Sequence, residues 1–126
     1  MKQPKVYIKH LAMVLPVETI NFHEKTVEVY FNDNADNVPF NFDEVDFIYG
    51  TSFIDKNGKE IESGDIVKTD FGDVFSIKFN DIYGFCAVDK DEKYWFAEET
   101  QDELRETLSK TEVIGNIYEN KDLLED

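Results

Sequence analysis

The chain of 126 residues is long enough to bury a sizeable core in one domain, and 41% of its residues are hydrophobic and 14% aromatic. Its net charge of −15, from 28 acids and 13 bases, disfavours direct binding to the phosphates of nucleic acids. The single cysteine, Cys86, excludes an intramolecular disulfide and therefore a disulfide-stabilised secreted domain.

The amino-terminal segment carries lysines and a short apolar stretch, which Lys9, His10 and Pro16 interrupt. It lacks a small-residue cleavage site, and no segment approaches the roughly 20 apolar residues of a membrane span. We therefore expect a soluble, cytoplasmic protein.

Residues 1–50 are predicted to form an amino-terminal β subunit that packs on the rest of the chain. Residues 17–22 and 26–31 are rich in β-branched and aromatic side chains, and the polar residues between them favour a hairpin. The Asx-rich segment 32–37 predicts a loop. An irregular apolar segment, residues 40–48, then brings the chain back.

Short strands with tight turns are predicted from residue 59 to 118. They cover residues 66–68, 74–79, 84–88, 94–97 and 112–118. Phe75, Ile77 and Phe79 share one face of the second of these strands, which is the period-two pattern of a half-buried strand. This spacing is typical of a small, strongly bent barrel of the SH3-like type.

One short helix is predicted near residues 99–108. Thr100 can cap its amino terminus, with Glu103 three residues later, and Leu104 and Leu108 form an apolar i, i+4 pair. The acidic residues beyond 118 are predicted to add one further helical turn.

The stretch DKNGKEIESGDIV, residues 55–67, contains two turns that lead directly into an apolar strand. Gly58 supplies the positive φ angle of the Asn57-Gly58 turn. Gly64 permits a second sharp reversal, and Asp65 can accept hydrogen bonds from backbone N–H groups of that turn. We therefore expect these residues to be structural and not catalytic.

About 45 residues after this stretch comes EVIGNIYENKDLL, residues 112–124, which includes Gly115 and Asn116. The two segments together resemble the YopX family of proteins encoded in bacteriophages and prophages, and the similarity covers residues 49–126. Ser63 and Lys121 replace the glutamate and proline that are common in the family, and the amino-terminal subunit is a divergent version. The resemblance implies a mainly β fold and a phage or prophage origin, with no established activity, cofactor or catalytic residue.

An EF-hand-like spacing occurs in the Asx-rich loop, where positions 1, 3, 5 and 12 are Asn32, Asn34, Asp36 and Asp43. The sixth position is Asn37 instead of glycine, the first ligand is not a carboxylate, and the twelfth is not glutamate. We therefore expect a solvated loop and no metal site.

The sequence contains no nucleotide-binding glycine motif, paired-cysteine motif or nucleophile elbow. Carboxylate pairs such as Glu98 and Asp102 are unavoidable among 28 acids and carry no signal. Cys86 lies in an apolar run, far in sequence from the two histidines, His10 and His23. We predict that the protein is not an enzyme and needs no cofactor.

The aromatic triplet Tyr94-Trp95-Phe96 follows an acidic hairpin tip and is the candidate interface. Strand alternation places at least one of these rings on the outside, and exposed aromatic rings often anchor protein interfaces. The alternative is that Tyr94 and Phe96 fill the barrel while Trp95 covers its outer face.

Our leading hypothesis is a non-enzymatic phage or prophage accessory protein that acts by protein–protein contact and forms a homo-oligomer, which would cover exposed strand edges. The alternative is an acidic mimic of nucleic acid that inhibits a basic host enzyme acting on DNA or RNA. Residues 28–65 and 89–126, each with net charge −8, motivate this alternative. Neither hypothesis includes direct nucleic-acid binding or a membrane.

Overall fold

The chain divides after Tyr49 into two compact units, Met1–Tyr49 and Gly50–Asp126. The structure, a computed structural model, describes residues 4–29, 38–80, 82 and 84–124.

Five antiparallel strands form the sheet of the first unit, in the order β4-β3-β2-β1-β5. The strands are β1 (Lys5–Ile8), β2 (Met13–Asn21), β3 (Thr26–Val29), β4 (Val38–Asn41) and β5 (Val45–Ile48), with a 3-10 turn at Phe42–Glu44 before β5. The predicted hairpin is β2–β3, in which Asn21 pairs with Thr26. One face of the sheet is apolar because side chains alternate along each strand. Its buried residues are Val6, Ile8, Val17, Val27, Val29, Phe40 and Val45.

A second five-stranded antiparallel sheet, in the order β11-β10-β9-β8-β12, forms most of the second unit. Its strands are β8 (Asp65–Lys68), β9 (Val74–Asn80), β10 (Gly84–Val88), β11 (Tyr94–Trp95) and β12 (Glu112–Asn116). Two further strands, β6 (Gly50–Ile54) and β7 (Glu60–Glu62), pair with each other. The helix α1 (Gln101–Leu108) lies between β11 and β12, and a 3-10 turn at Lys121–Leu124 follows β12.

The helix begins where its capping residues predict. The Glu103 N–H donates to Thr100 Oγ1 (3.2 Å), and the Thr100 N–H donates to a carboxylate oxygen of Glu103 (3.3 Å). Leu104 and Leu108 are both buried in the core of the second unit, as the i, i+4 spacing predicts. Full burial of such a side chain contributes about 1.5–3 kcal/mol.

The alternation predicted for β9 holds only in part. Phe75 and Ile77 are buried in the core, whereas Phe79 is 52% exposed. The Phe79 ring instead lies edge-on to Phe85, with a centroid distance of 5.2 Å. The apolar face of β9 therefore extends past the core and reaches the surface.

The structure confirms a mainly β protein, with a single α-helix in the part of the chain that it describes. Both large sheets are open, since each strand order ends in two edge strands. The small, bent SH3-like barrel expected for residues 59–118 is therefore not confirmed as a closed structure by the described strands. The shortness of β11 helps to leave the sheet open, because its two residues pair only with Ala87 and Val88 of β10.

Candidate functional site

The first of the two motif segments, residues 55–67, is called the first motif, and residues 112–124 the second. The turn that begins the first motif is built on Asp55. The Asp55 N–H donates to the Lys59 carbonyl (2.9 Å), and the Gly58 N–H donates to the Asp55 carbonyl (3.0 Å). One carboxylate oxygen of Asp55, Oδ1, also accepts from the N–H groups of Asn57 and Lys59, both at 2.9 Å. Gly58 has φ +80°, the left-handed conformation that such a turn requires at this position. Asn57 and Gly58 thus form the predicted turn, but its main acceptor is Asp55.

Asp55 also links the first motif to the second. Its other carboxylate oxygen, Oδ2, accepts from the Val113 N–H (3.0 Å), and the neighbouring Lys56 N–H donates to the Thr111 carbonyl (2.9 Å). Burial opposes the charged form, but the N–H groups of Val113, Lys59 and Asn57 outweigh it, and the pKa of Asp55 lies below its ordinary value. The carboxylate is therefore a structural anion held by backbone donors.

The second turn of the first motif also contacts the second motif. Asp65 Oδ2 accepts from the Glu62 N–H (2.8 Å), which closes the turn. The Gly64 N–H donates to the Ile77 carbonyl (2.7 Å), and the Gly64 carbonyl accepts from the Ile117 N–H (2.8 Å). Gly64 has φ +89°, and a Cβ here would lie 2.6 Å from the Tyr118 ring. Only glycine fits both the backbone angle and the space.

Gly115 and Asn116 shape the end of β12, beside a register shift between Val113 and Gly115. Asn116 Oδ1 accepts from the N–H groups of Tyr118 (3.0 Å) and Glu119 (2.9 Å). A Cβ on Gly115 would lie 2.7 Å from the Asn120 side chain. This segment therefore turns tightly against itself.

The two motif segments thus meet in one structural element, which we call the motif junction: residues 55–65 together with 111–120. The pairing of β8 with β12 completes it. All six residues singled out in the sequence lie in it: Asn57, Gly58, Gly64, Asp65, Gly115 and Asn116. Sequence reasoning missed Asp55, the residue that joins the two segments.

The aromatic triplet lies at a second place in the same unit. A cavity of about 390 Å³ opens between β10, β11 and the start of α1. We call it the aromatic cavity; its lining residues are Phe85, Cys86, Tyr94, Trp95, Phe96, Ala97, Glu99, Gln101 and Leu104. Tyr94 is 52% exposed and Trp95 43% exposed. Both rings are therefore available to a molecule that enters the cavity.

Asp89 holds the Trp95 ring in place. The indole Nε1–H donates to Asp89 Oδ2 (3.0 Å), and the ring packs on Phe75 with a centroid distance of 4.9 Å. The same carboxylate accepts from the N–H groups of Asp91 and Lys93. The indole donor, followed by the Lys93 N–H, holds the pKa of Asp89 below its ordinary value despite some desolvation.

Phe96 breaks the alternation of the predicted strand. Its backbone has φ +60°, unusual for a bulky residue, so the chain turns away from the sheet after Trp95. Its ring is partly buried against the core, 5.6 Å from Phe75. The expectation that at least one ring lies on the outside agrees with the structure, in which Tyr94 and Trp95 are both exposed. The alternative does not, because only Phe96 packs against the core while Tyr94 stays at the surface.

Gln101 closes the sheet edge at the side of the cavity. Its side-chain oxygen accepts from the Phe85 N–H (3.1 Å), and its side-chain nitrogen donates to the Phe85 carbonyl (3.2 Å). The amide therefore takes the position that the next residue of a neighbouring strand would occupy. Nothing in the sequence pattern marks this exposed glutamine.

Burial raises the pKa of the Cys86 thiol, which favours the neutral form over the reactive thiolate. Within the described residues, no group of three or more His, Cys, Asp or Glu side chains is placed to hold a metal ion. Of the EF-hand-like set, Asn32, Asn34 and Asp36 lie outside the described residues, and Asp43 lies in the 3-10 turn before β5. No helix in the part of the chain that the structure describes is long and apolar enough to cross a membrane.

Fold and geometry define a mainly β protein made of two antiparallel units, the second of which carries both the motif junction and the aromatic cavity. The family model described as "YopX protein" matches residues 6–125, and the chain therefore belongs to the YopX family. The match is wider than the range 49–126 expected from the motifs, because it also includes nearly all of the first unit. No curated protein matches the chain.

Proposed function

We propose that this protein is a non-enzymatic bacteriophage or prophage accessory protein that acts by protein–protein contact, including self-assembly. The observation that carries the proposal is the pair of exposed rings, Tyr94 and Trp95, at the mouth of the aromatic cavity. Tyrosine and tryptophan are among the residues that contribute most to interface binding energy.

The rigidity of this surface supports its role as an anchor. Trp95 is fixed by Asp89 on one side and by Phe75 beneath it. A ring that is already held in place loses little conformational freedom when a partner covers it, so more of the contact energy remains for binding.

Contact through side chains is favoured over addition of a strand. Where β11 no longer pairs with β10, the Gln101 amide occupies both backbone groups of Phe85. At the opposite edge, on β12, the Asp55 carboxylate occupies the Val113 N–H. These side chains cover backbone positions that a partner strand would need. Covering bare edges is therefore a weaker reason for self-assembly than burying the exposed rings.

We also propose that the second unit is of the SH3-like type. The strand order supports this, because β12 returns to lie beside β8, the first strand of the sheet. That return is the step by which a five-stranded meander bends towards a barrel.

The absence of enzymatic activity is part of the proposal. The described carboxylates with a lowered pKa, Asp55 and Asp89, are each engaged by structural N–H donors, and the Cys86 thiol is held neutral by burial. Catalytic groups are usually tuned towards the working pH instead.

Light scattering during size-exclusion chromatography tests the self-assembly. We expect a defined oligomer at tens of micromolar and a shift towards the monomer for Tyr94→Ser. Phe71→Ser is the matched control, because Phe71 is 93% exposed but lies in a turn away from the cavity lining. A wild-type chain that stays monomeric would refute self-assembly, and equal effects of both variants would refute the role of this surface.

The acidic mimic of nucleic acid is the second proposal. Residues 89–103 contain seven acids and only two basic residues, Lys90 and Lys93. Capture of a basic enzyme that fails after Glu98→Gln and Asp102→Asn, but survives Tyr94→Ser, would favour the mimic. The opposite pattern would favour contact through the aromatic rings.

A further inference from the structure

We propose that the aromatic cavity binds the side chain of a lysine or arginine that projects from a basic segment of a partner protein. This inference rests on the proposed function and adds the chemistry of the partner. It follows from three features of the cavity: its aromatic walls, the negative charge around it and the closed sheet edge beside it.

The walls suit a cation that carries an alkyl stem. Phe85, Tyr94, Trp95 and Phe96 all line the cavity, and the faces of aromatic rings attract ammonium and guanidinium groups. The volume, about 390 Å³, lies near the lower end of the range for ligand pockets, which suits one side chain better than a large molecule.

The charge around the cavity is negative. Glu99 lines it, and both oxygens of this carboxylate accept from the Thr107 hydroxyl (2.9 and 2.8 Å), which fixes its position. The nearby cation of α1, Arg105, is engaged elsewhere: its guanidinium donates to the Ser52 carbonyl and lies 4.8 Å from the centre of the Phe53 ring. The same pairing of a cation with an aromatic ring therefore already occurs once within this unit.

The closed edge decides how a partner can bind. Because Gln101 occupies the backbone groups of Phe85, a partner segment cannot pair with β10 there, which favours insertion of a side chain. The net charge of the chain, −15, repels acidic partner segments. A basic segment is attracted by the same charge.

Trp95 is the only tryptophan, so its fluorescence reports on this cavity in the full chain. We would titrate the protein with a lysine-rich peptide and with the same peptide carrying norleucine, which keeps the alkyl chain and removes the charge. We expect a saturable change in emission with the lysine peptide and none at the same concentrations with the norleucine peptide. Replacement of lysine by arginine should preserve binding.

Two variants and one control locate the binding. Glu99→Gln and Tyr94→Ala should each lower the affinity for the lysine peptide about two- to five-fold. This is the effect expected for the loss of one exposed charge or one cation–aromatic contact. Glu106→Gln removes the same charge from an exposed position outside the cavity lining and should leave the affinity unchanged. Circular dichroism would verify that all three variants fold.

Equal binding of both peptides would overturn the cation proposal and leave an apolar contact site. Equal weakening by Glu99→Gln and Glu106→Gln would also overturn it, since binding would then follow overall charge. Absence of any saturable change would overturn it as well. In each case the oligomer measurement with Tyr94→Ser still decides the proposed function separately.

Discussion

The turns that begin at Asp55 and Asp89 have the same local geometry but different surroundings. In each, the first carboxylate oxygen accepts from the N–H groups two and four residues later. The second oxygen of Asp55 binds the Val113 N–H in the motif junction, whereas that of Asp89 binds the Trp95 indole at the aromatic cavity. The first oxygen therefore builds the turn, and the second determines what the turn holds in place.

A third turn shows what happens without a second oxygen. The Thr69 hydroxyl accepts from the N–H groups of Phe71 and Asp73, and Gly72 takes the positive φ angle. This turn has the same hydrogen bonds as the other two. A hydroxyl can thus replace the carboxylate locally, but it offers no second acceptor oxygen for a distant donor.

Asp55→Thr is expected to have the largest effect, because it keeps an acceptor for the turn and removes the one for Val113. A partly buried N–H group would lose a charged acceptor, so the free energy of unfolding at neutral pH should fall by about 2 kcal/mol. Urea denaturation measures this change. Thr69→Asp is the reverse control, and it should change stability little because the Thr69 hydroxyl is seen to accept only from N–H groups of its own turn. A loss for Asp55→Thr no larger than for Asp89→Thr would show that the Val113 bond is unimportant.

The contribution of Asp55 should depend on pH. Its pKa is lowered on folding, so its stabilisation is fully present above the ordinary aspartate value, 3.8, and is lost as the pH falls through the lowered value. The difference in unfolding free energy between the wild type and Asp55→Thr should therefore be constant from pH 7 to about 5 and shrink below about 4. A difference that persists unchanged in strong acid would contradict a charged Asp55 in the folded protein.

The sequence allowed the turns to be predicted but not their roles. DKNGK and DKDEK share an aspartate two and four residues before the bonded N–H groups, a spacing that could have indicated both turns. That Asp55 also reaches Val113, 58 residues away, depends on the pairing of β12 with β8, which no local pattern encodes. The exposed rings were likewise predicted only in part. The aromatic triplet is visible in the sequence, whereas no local pattern shows that the chain turns away from the sheet at Phe96.

A substitution at the fourth position of the Asp55 and Asp89 turns should have a smaller effect on stability. It is Gly58 in the first turn and Glu92 in the second, where Glu92 has φ +62°. Glu92→Gly removes this strain but also the exposed ion pair with Lys78 (3.2 Å). Glu92→Ala removes the ion pair alone, so the glycine variant should be more stable than the alanine variant by about 1 kcal/mol. Equal thermal midpoints for the two variants would show that the positive φ angle carries no strain.

Of these substitutions, Asp89→Thr should have the smallest effect on stability and the largest effect on the aromatic cavity. The hydroxyl keeps the turn, as in the Thr69 turn, but Trp95 loses the acceptor of its indole N–H and becomes free to rotate. Because Trp95 is the only tryptophan, we expect its emission to shift to longer wavelength and to become more accessible to a neutral quencher such as acrylamide. Asp91→Asn is the matched control, since it removes a charge from the same turn and leaves the indole bond intact.

If Asp89 fixes the ring that a partner covers, then Asp89→Thr should also weaken self-assembly without unfolding the protein. Unchanged emission and an unchanged oligomer would separate the Asp89 turn from the binding surface.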